Sequence, residues 1–129
     1  MTAAQPLILT ETTAESAAIP PGIQVIRLNY PSKRNALSLD LRAALIAAVE
    51  SAMAAPAVRA IVLTGSGGAF CAGGDISTMQ NVAGVVGRQR LGNLHRLARM
   101  IVAGPKPVIA AVEGYAYGAG MSLALLCDQ

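Results

Sequence analysis

The chain has 129 residues, the length of one modest domain, and 53% of them are hydrophobic, mostly Ala, Val, Leu and Ile, which argues against disorder. One Phe, three Tyr and no Trp make stacking on nucleic-acid bases a poor fit. A net charge of +3 without a Lys/Arg run suits an anionic small ligand better than a DNA backbone, solvated surface charge being the plainer alternative.

Residues 6–12, PLILTET, and 23–30, IQVIRLNY, are β-rich runs separated by the turn-prone AESAAIPPG, which predicts a hairpin with a long connection. The polar, irregular YPSKRNALS follows. Ser38 then precedes LDLRAALIAAVESAMA, with Asp40 in the first turn and Pro56 past the end, the marks of a helix. Leu41, Leu45, Ala48, Val49 and Ala52 share one face of it. AVRAIVLTG is nearly all apolar, the pattern of a strand covered on both faces, and a glycine-rich loop comes after it.

From about Arg88 to Val102 the chain again reads as helix, with Leu91, Leu94, Ala98 and Ile101 on the buried side and Arg88, Arg96 and Arg99 mostly outside. GPKP ends that helix. VIAAVEG reads as a second buried strand, YAYGAG as a small-residue turn, and MSLALLC as the start of another apolar helix. The order strand, strand, helix, strand, loop, helix, strand, loop, helix indicates a layered α/β domain. The last helix is apolar over much of its surface, so the chain reads as unfinished.

Cys71 and Cys127 lack metal-type or redox-type spacing and fit a reducing cytosol. The first residues lack a basic n-region, and no uninterrupted apolar run approaches membrane length, so the expectation is a soluble cytoplasmic protein. No metal, flavin or nicotinamide site is read, and TGSGGAF does not satisfy the dinucleotide fingerprint.

Two strand-to-loop transitions share one design. VLTGSGGAFCAGGDI and VEGYAYGAGMSLAL each leave a strand, pass through glycine and alanine, and enter a helix. Small residues let a ligand approach the main chain, and the first N–H groups of a helix are unpaired donors with the dipole behind them. Two such donors converging on one point would make an oxyanion hole. Tight turns and close packing explain the glycines equally well.

YPSKRNALS, VLTGSGGAFCAGGDI and KPVIAAVEGYAYGAGMSLALLCD, in this order and spacing, resemble the crotonase superfamily, the enoyl-CoA hydratase/isomerase family, from about residue 23 onward. What they resemble is the front half of that family's domain. The resemblance implies a spiral of β-β-α units, apparently truncated here, with residues 1–22 as an N-terminal strand and variable connection and 23–129 as the N-terminal part of an acyl-CoA-binding domain. It implies an enolate of an acyl-CoA thioester held by two main-chain N–H groups, which fall on Gly74 and Ala119. It also implies a coenzyme A pocket at Ala36, Ala72 and Ile76, with Lys33 and Arg34 placed to meet CoA phosphates or to stand as surface charge. Coenzyme A enters as part of the substrate, with no separate cofactor. Full-length members form trimers or hexamers.

Ser122 departs from the pattern. Hydratases of this family carry a glutamate two residues beyond the last glycine of the turn, and a serine hydroxyl near neutral pH does not replace a carboxylate in activating water. The resemblance therefore favours isomerase-type over hydratase chemistry; a truncated, non-catalytic acyl-CoA-binding or assembly fragment is the alternative. A third reading, Ser122 as a hydrolase nucleophile, lacks a Gly-x-Ser-x-Gly word and any sequence reason for His95 to lie near it. Asp75 reads as a cap or loop-fixing residue more than as an acid. Phe70 and Cys71 read as core, His95 as solvated or structural, Lys106 as structural or exposed, and Glu113 as the end of a strand.

Overall fold

The computed structural model describes residues 5–74 and 84–129. Strand β1 (Ile8–Glu11) pairs antiparallel with β2 (Ile23–Leu28), the expected hairpin. Its long connection is pinned by Glu15, whose carboxylate accepts from the Thr12 amide at 2.6 Å and the Thr12 hydroxyl at 2.7 Å. Those bonds favour the charged form and hold the carboxyl below its ordinary range.

Helix α1 (Leu39–Ala54) starts where the sequence places it. The Ser38 hydroxyl accepts from the Leu41 amide at 3.1 Å, and Asp40 lies in the first turn, near the positive end of the dipole. Leu41, Leu45, Val49 and Ala52 are buried as expected, joined by Arg42 and Ile46. At the other end Lys106 donates to the carbonyls of Ala52 and Ala55, at 2.8 and 2.6 Å, so its role is to close the helix C-terminus.

Strand β3 (Ala60–Gly65) runs parallel to β2, Ile26 opposite Leu63, and β4 (Val108–Ala110) runs parallel to β3. The sheet order β1-β2-β3-β4 follows the chain, with α1 and α2 (Gly84–Ala103) as the crossovers. Parallel neighbours require such crossovers. Ile26, Leu28, Ile61 and Leu63 meet Leu41, Leu45 and Val49 of α1, Leu97 and Ile101 of α2, and Leu123 of α3 (Ala119–Leu126) in one core.

Three expectations are corrected. In β3 the first half is covered on one face only, Ala60 and Val62 being half-buried beside buried Ile61, whereas Leu63, Thr64 and Gly65 are all buried. In β4 only Val108 is buried, and the strand stops at Ala110. It is the outermost strand of the sheet, its free edge met by Asp128 and Gln129, and among the described residues no helix covers Ile109 or Val112. In α2 the buried face among the described side chains is Leu97 and Ile101, with Leu94 and Ala98 half-buried, whereas Leu91 is 55% exposed. Among the described residues no helix is long and apolar enough to cross a membrane.

Candidate functional site

The site begins where β3 ends. A Cβ on Gly65 would overlap the carbonyl oxygens of Ala69 and Phe70 and lie 2.7 Å from Asn35 Nδ2, so only glycine lets the loop fold back here. Asn35 fills the corner. It is fully buried with a left-handed φ of 59°, and its Oδ1 accepts from the Tyr30 amide at 2.7 Å. Its Nδ2 donates to the Ser66 and Ala69 carbonyls at 3.0 and 2.8 Å. One side chain therefore ties the KRNALS turn to the glycine-rich loop.

Beyond that tie the loops form a small backbone ladder of their own. Segment 71–74 lies in the middle. On one side the Ala72 amide donates to Arg34 O at 3.0 Å and the Leu37 amide to Gly73 O at 2.7 Å. On the other, the Cys71 amide donates to Tyr115 O at 2.9 Å and the Tyr117 amide to Cys71 O at 3.0 Å. The three motifs of the sequence thus meet edge to edge, although the first and last lie about eighty positions apart.

Two glycines set how closely these segments approach. Gly73 has φ +104°, and a Cβ there would stand 2.9 Å from Tyr117 O and 3.7 Å from the Ala119 nitrogen. A Cβ on Gly120 would overlap the Cys71 carbonyl oxygen. Gly74 consequently follows directly on the residue packed against Ala119, the first residue of α3. Among the described residues no carbonyl accepts from the amide of either Gly74 or Ala119, whereas those of Cys71, Ala72, Tyr117 and Gly120 are taken. Helix α3 directs the positive end of its dipole to this point.

Ser122 is exposed, one turn along α3, its amide donating to Gly118 O. It borders an apolar cavity of about 210 Å³ between α2 and α3, lined also by Leu94, His95, Ala98, Ala119 and Leu123. His95 and Ser122 thus face one cavity, which nothing in the sequence indicated. Lys33 and Arg34 are exposed in the 3-10 turn Pro31–Lys33 and its C-cap, and Ala36 and Ala72 are half-buried on neighbouring rungs of the ladder. Asp75 and Ile76 lie outside the described residues.

Phe70 and Cys71 are fully buried, as expected. Desolvation raises the Cys71 thiol above its ordinary value, against smaller lowering effects from the Gly73 backbone and the Arg42 charge, which disfavours the nucleophilic thiolate. Glu113 is exposed, and among the described residues no cluster of His, Cys, Asp or Glu can hold a metal ion. The sequence reading did not single out Asn35 or Tyr115. Over the Tyr115 ring stands the Arg34 guanidinium, its central carbon 5.1 Å from the centroid.

Comparison with known proteins agrees with this layout. Residues 18–129 match the family described as enoyl-CoA hydratase/isomerase. A crotonyl-CoA hydratase of Syntrophomonas wolfei is 40% identical over 107 residues, 82% of this chain and 41% of that protein. The crystal structure of an enoyl-CoA hydratase from Polaromonas sp. JS666 superposes with a TM-score of 0.82 at 40% identity, covering 94% of this chain and 46% of that one. One from Mycobacterium smegmatis gives 0.85 at 34% identity, with 96% and 46% covered. The chain thus spans less than half the length of these relatives, and its fold is that of their crotonase-type domain. On the matched residues and the shared fold together, the chain belongs to the enoyl-CoA hydratase/isomerase family.

Proposed function

We propose that the chain binds an acyl-CoA thioester with its carbonyl oxygen between the amides of Gly74 and Ala119, and that its chemistry is of the isomerase type. The observation that carries this reading is the ladder itself, which packs Gly73 against Ala119 and leaves the two neighbouring amides without a carbonyl acceptor among the described residues. Two N–H groups there oppose the negative charge that gathers on oxygen when a proton leaves the carbon next to the carbonyl. In an isomerase that proton is lost at one carbon and a proton is regained two carbons along, the double bond shifting into conjugation with no net change in composition. Lys33, Arg34, Ala36, Ala72 and Ile76 hold the coenzyme A portion, and coenzyme A is part of the substrate.

The preference for isomerisation rests on Ser122. It is exposed, neutral and one turn from Ala119, and hydration calls for a carboxylate to take a proton from water. The test offers the purified protein a 3-enoyl-CoA and crotonyl-CoA in separate assays. Formation of the conjugated 2-enoyl thioester from the first, with slow hydration of the second, is the expected result. Fast hydration overturns the isomerase preference. Coenzyme A binding without either turnover supports the non-catalytic reading instead. Ala119→Pro removes one donor at the first helical position, where proline is tolerated, and is expected to lower turnover roughly a hundred- to a thousandfold.

A further inference from the structure

We propose that Tyr115 is a positioning residue for coenzyme A, holding the Arg34 guanidinium ready for a phosphate of the ligand before the ligand arrives. This rests on the acyl-CoA reading above and adds to it a residue that touches no reacting atom. The geometry comes from the ladder. Arg34 is joined by its carbonyl to Ala72, and Tyr115 by its carbonyl to Phe70 and Cys71, so the two residues flank one segment from opposite edges. Their side chains meet, the guanidinium lying over the ring face at 5.1 Å. Tyr117 stands beside the ring, centroid to centroid 5.4 Å.

The backbone fixes where each side chain sets out. Arg34 has φ +50°, and its amide donates to Pro31 O at 3.1 Å, closing the 3-10 turn. Both of its backbone groups are therefore committed, and the remaining freedom is that of the side chain. An exposed arginine gives up rotamer freedom when a ligand fixes it. A ring that has already selected the rotamer reduces that loss at binding. Among the described residues no carboxylate pairs with Arg34, whereas Arg27 and Arg96 are paired with Glu11 and Glu50. The guanidinium keeps its donors for an anion. It also stands at the rung of Ala72, on the exposed surface.

The test measures dissociation constants of coenzyme A and of pantetheine, which lacks every phosphate, by calorimetry. The proteins compared are the wild type, Arg34→Ala, Tyr115→Leu, Tyr115→Phe and the Arg34→Ala/Tyr115→Leu double variant. Tyr115→Leu is expected to weaken coenzyme A binding roughly two- to fivefold, the range of an exposed cation–π contact, and to leave pantetheine unchanged. Tyr115→Phe is expected to retain wild-type affinity, since the ring face is what matters. The double variant is expected to bind no more weakly than Arg34→Ala, because without the arginine the ring has nothing to hold. Equal losses for coenzyme A and pantetheine, or additive losses in the double variant, overturn the role of Tyr115 and leave the acyl-CoA reading intact. Absence of coenzyme A binding by the wild type overturns both. The Arg34 δ-methylene proton shifts check the pose without ligand: they are expected upfield in the wild type and normal in Tyr115→Leu, and no upfield shift in the wild type refutes the preset arginine.

Discussion

Replacing Asn35 by alanine tests the joint on which the site is built. The change deletes three hydrogen bonds that link residues 30, 66 and 69. The Ala69 carbonyl is the most enclosed of the three partners; water reaches the Tyr30 amide and the Ser66 carbonyl in part. An enclosed polar group left without a partner costs about 1–3 kcal/mol, and each partly accessible bond contributes about 0.5–1.5 kcal/mol. Asn35 also holds φ 59°, which alanine adopts at a cost of about 1–2 kcal/mol. Together these amount to roughly 3–8 kcal/mol, comparable with the 5–15 kcal/mol by which domains of this size are stable. Urea unfolding is the assay, and at a slope of about 2 kcal/mol/M the midpoint falls by roughly 1.5–4 M. Asn35→Gly separates the two causes, since glycine accepts the backbone angle and restores no hydrogen bond. If Asn35→Gly recovers the whole loss, backbone strain is the cause and the tie between the loops is not. A loss below about 1 kcal/mol in Asn35→Ala likewise refutes the argument. Asn35→Asp adds a sign. A carboxylate facing two carbonyl oxygens has its folded pKa raised, so that variant is expected to be least defective in acid and to weaken as pH rises through about 4 toward neutrality.

Two further outcomes follow from glycine sterics and from a thiol. Gly120→Ala places a methyl group on the Cys71 carbonyl, whereas at Gly68, φ +77°, the added methyl meets nothing within 4 Å. Circular dichroism and thermal melts are expected to show Gly68→Ala within about 1–2 kcal/mol of the wild type and Gly120→Ala far more damaged, and equal losses would refute the close approach of α3 to segment 71–74. Desolvation, with the Asp128 charge adding to it, pushes the Cys127 thiol up to about 11 from an ordinary 9.0. A raised folded pKa gives stability that is complete below the unfolded value and lost as pH climbs to the folded one. The melting temperature is therefore expected to fall between pH 9 and about 11, less steeply in Cys127→Ser, and identical profiles for the two proteins would contradict it.

How much of this was legible in the sequence depends on whether the cause was local. Helix α1 was readable because its cap, its acidic first turn and its apolar face all lie within its own residues. The parallel order of β2, β3 and β4 was implied by the alternation of strands and helices. Leu91 was misread because periodicity marks a face of α2 and cannot say which residues of that face will be covered. Asn35 was passed over because its burial depends on carbonyls 31 and 34 positions away, and a single polar residue in a polar loop leaves no periodic trace. The shared cavity of His95 and Ser122, and the stacking of Arg34 on Tyr115, were hidden for the same reason. Contacts between loops are set by what brings the loops together.

That dependence also explains why the site tolerates so little bulk. Segment 71–74 is placed by main-chain bonds on both edges, four of them within 3.0 Å, so its position owes little to side-chain identity. A different small residue at 72 would leave those bonds in place. A Cβ at Gly73 or Gly120 would not, because it would press on a carbonyl of the neighbouring segment and push α3, and with it the Ala119 amide, away from Gly74. In the proposed acyl-CoA complex, a donor so displaced would no longer meet the thioester oxygen at hydrogen-bond length, and electrostatic stabilisation of this kind depends on that length. The small residues of GGAFCAGG and GYAYGAG therefore answer to volume at a few positions, and on the proposed reading the chemistry they protect belongs to the backbone.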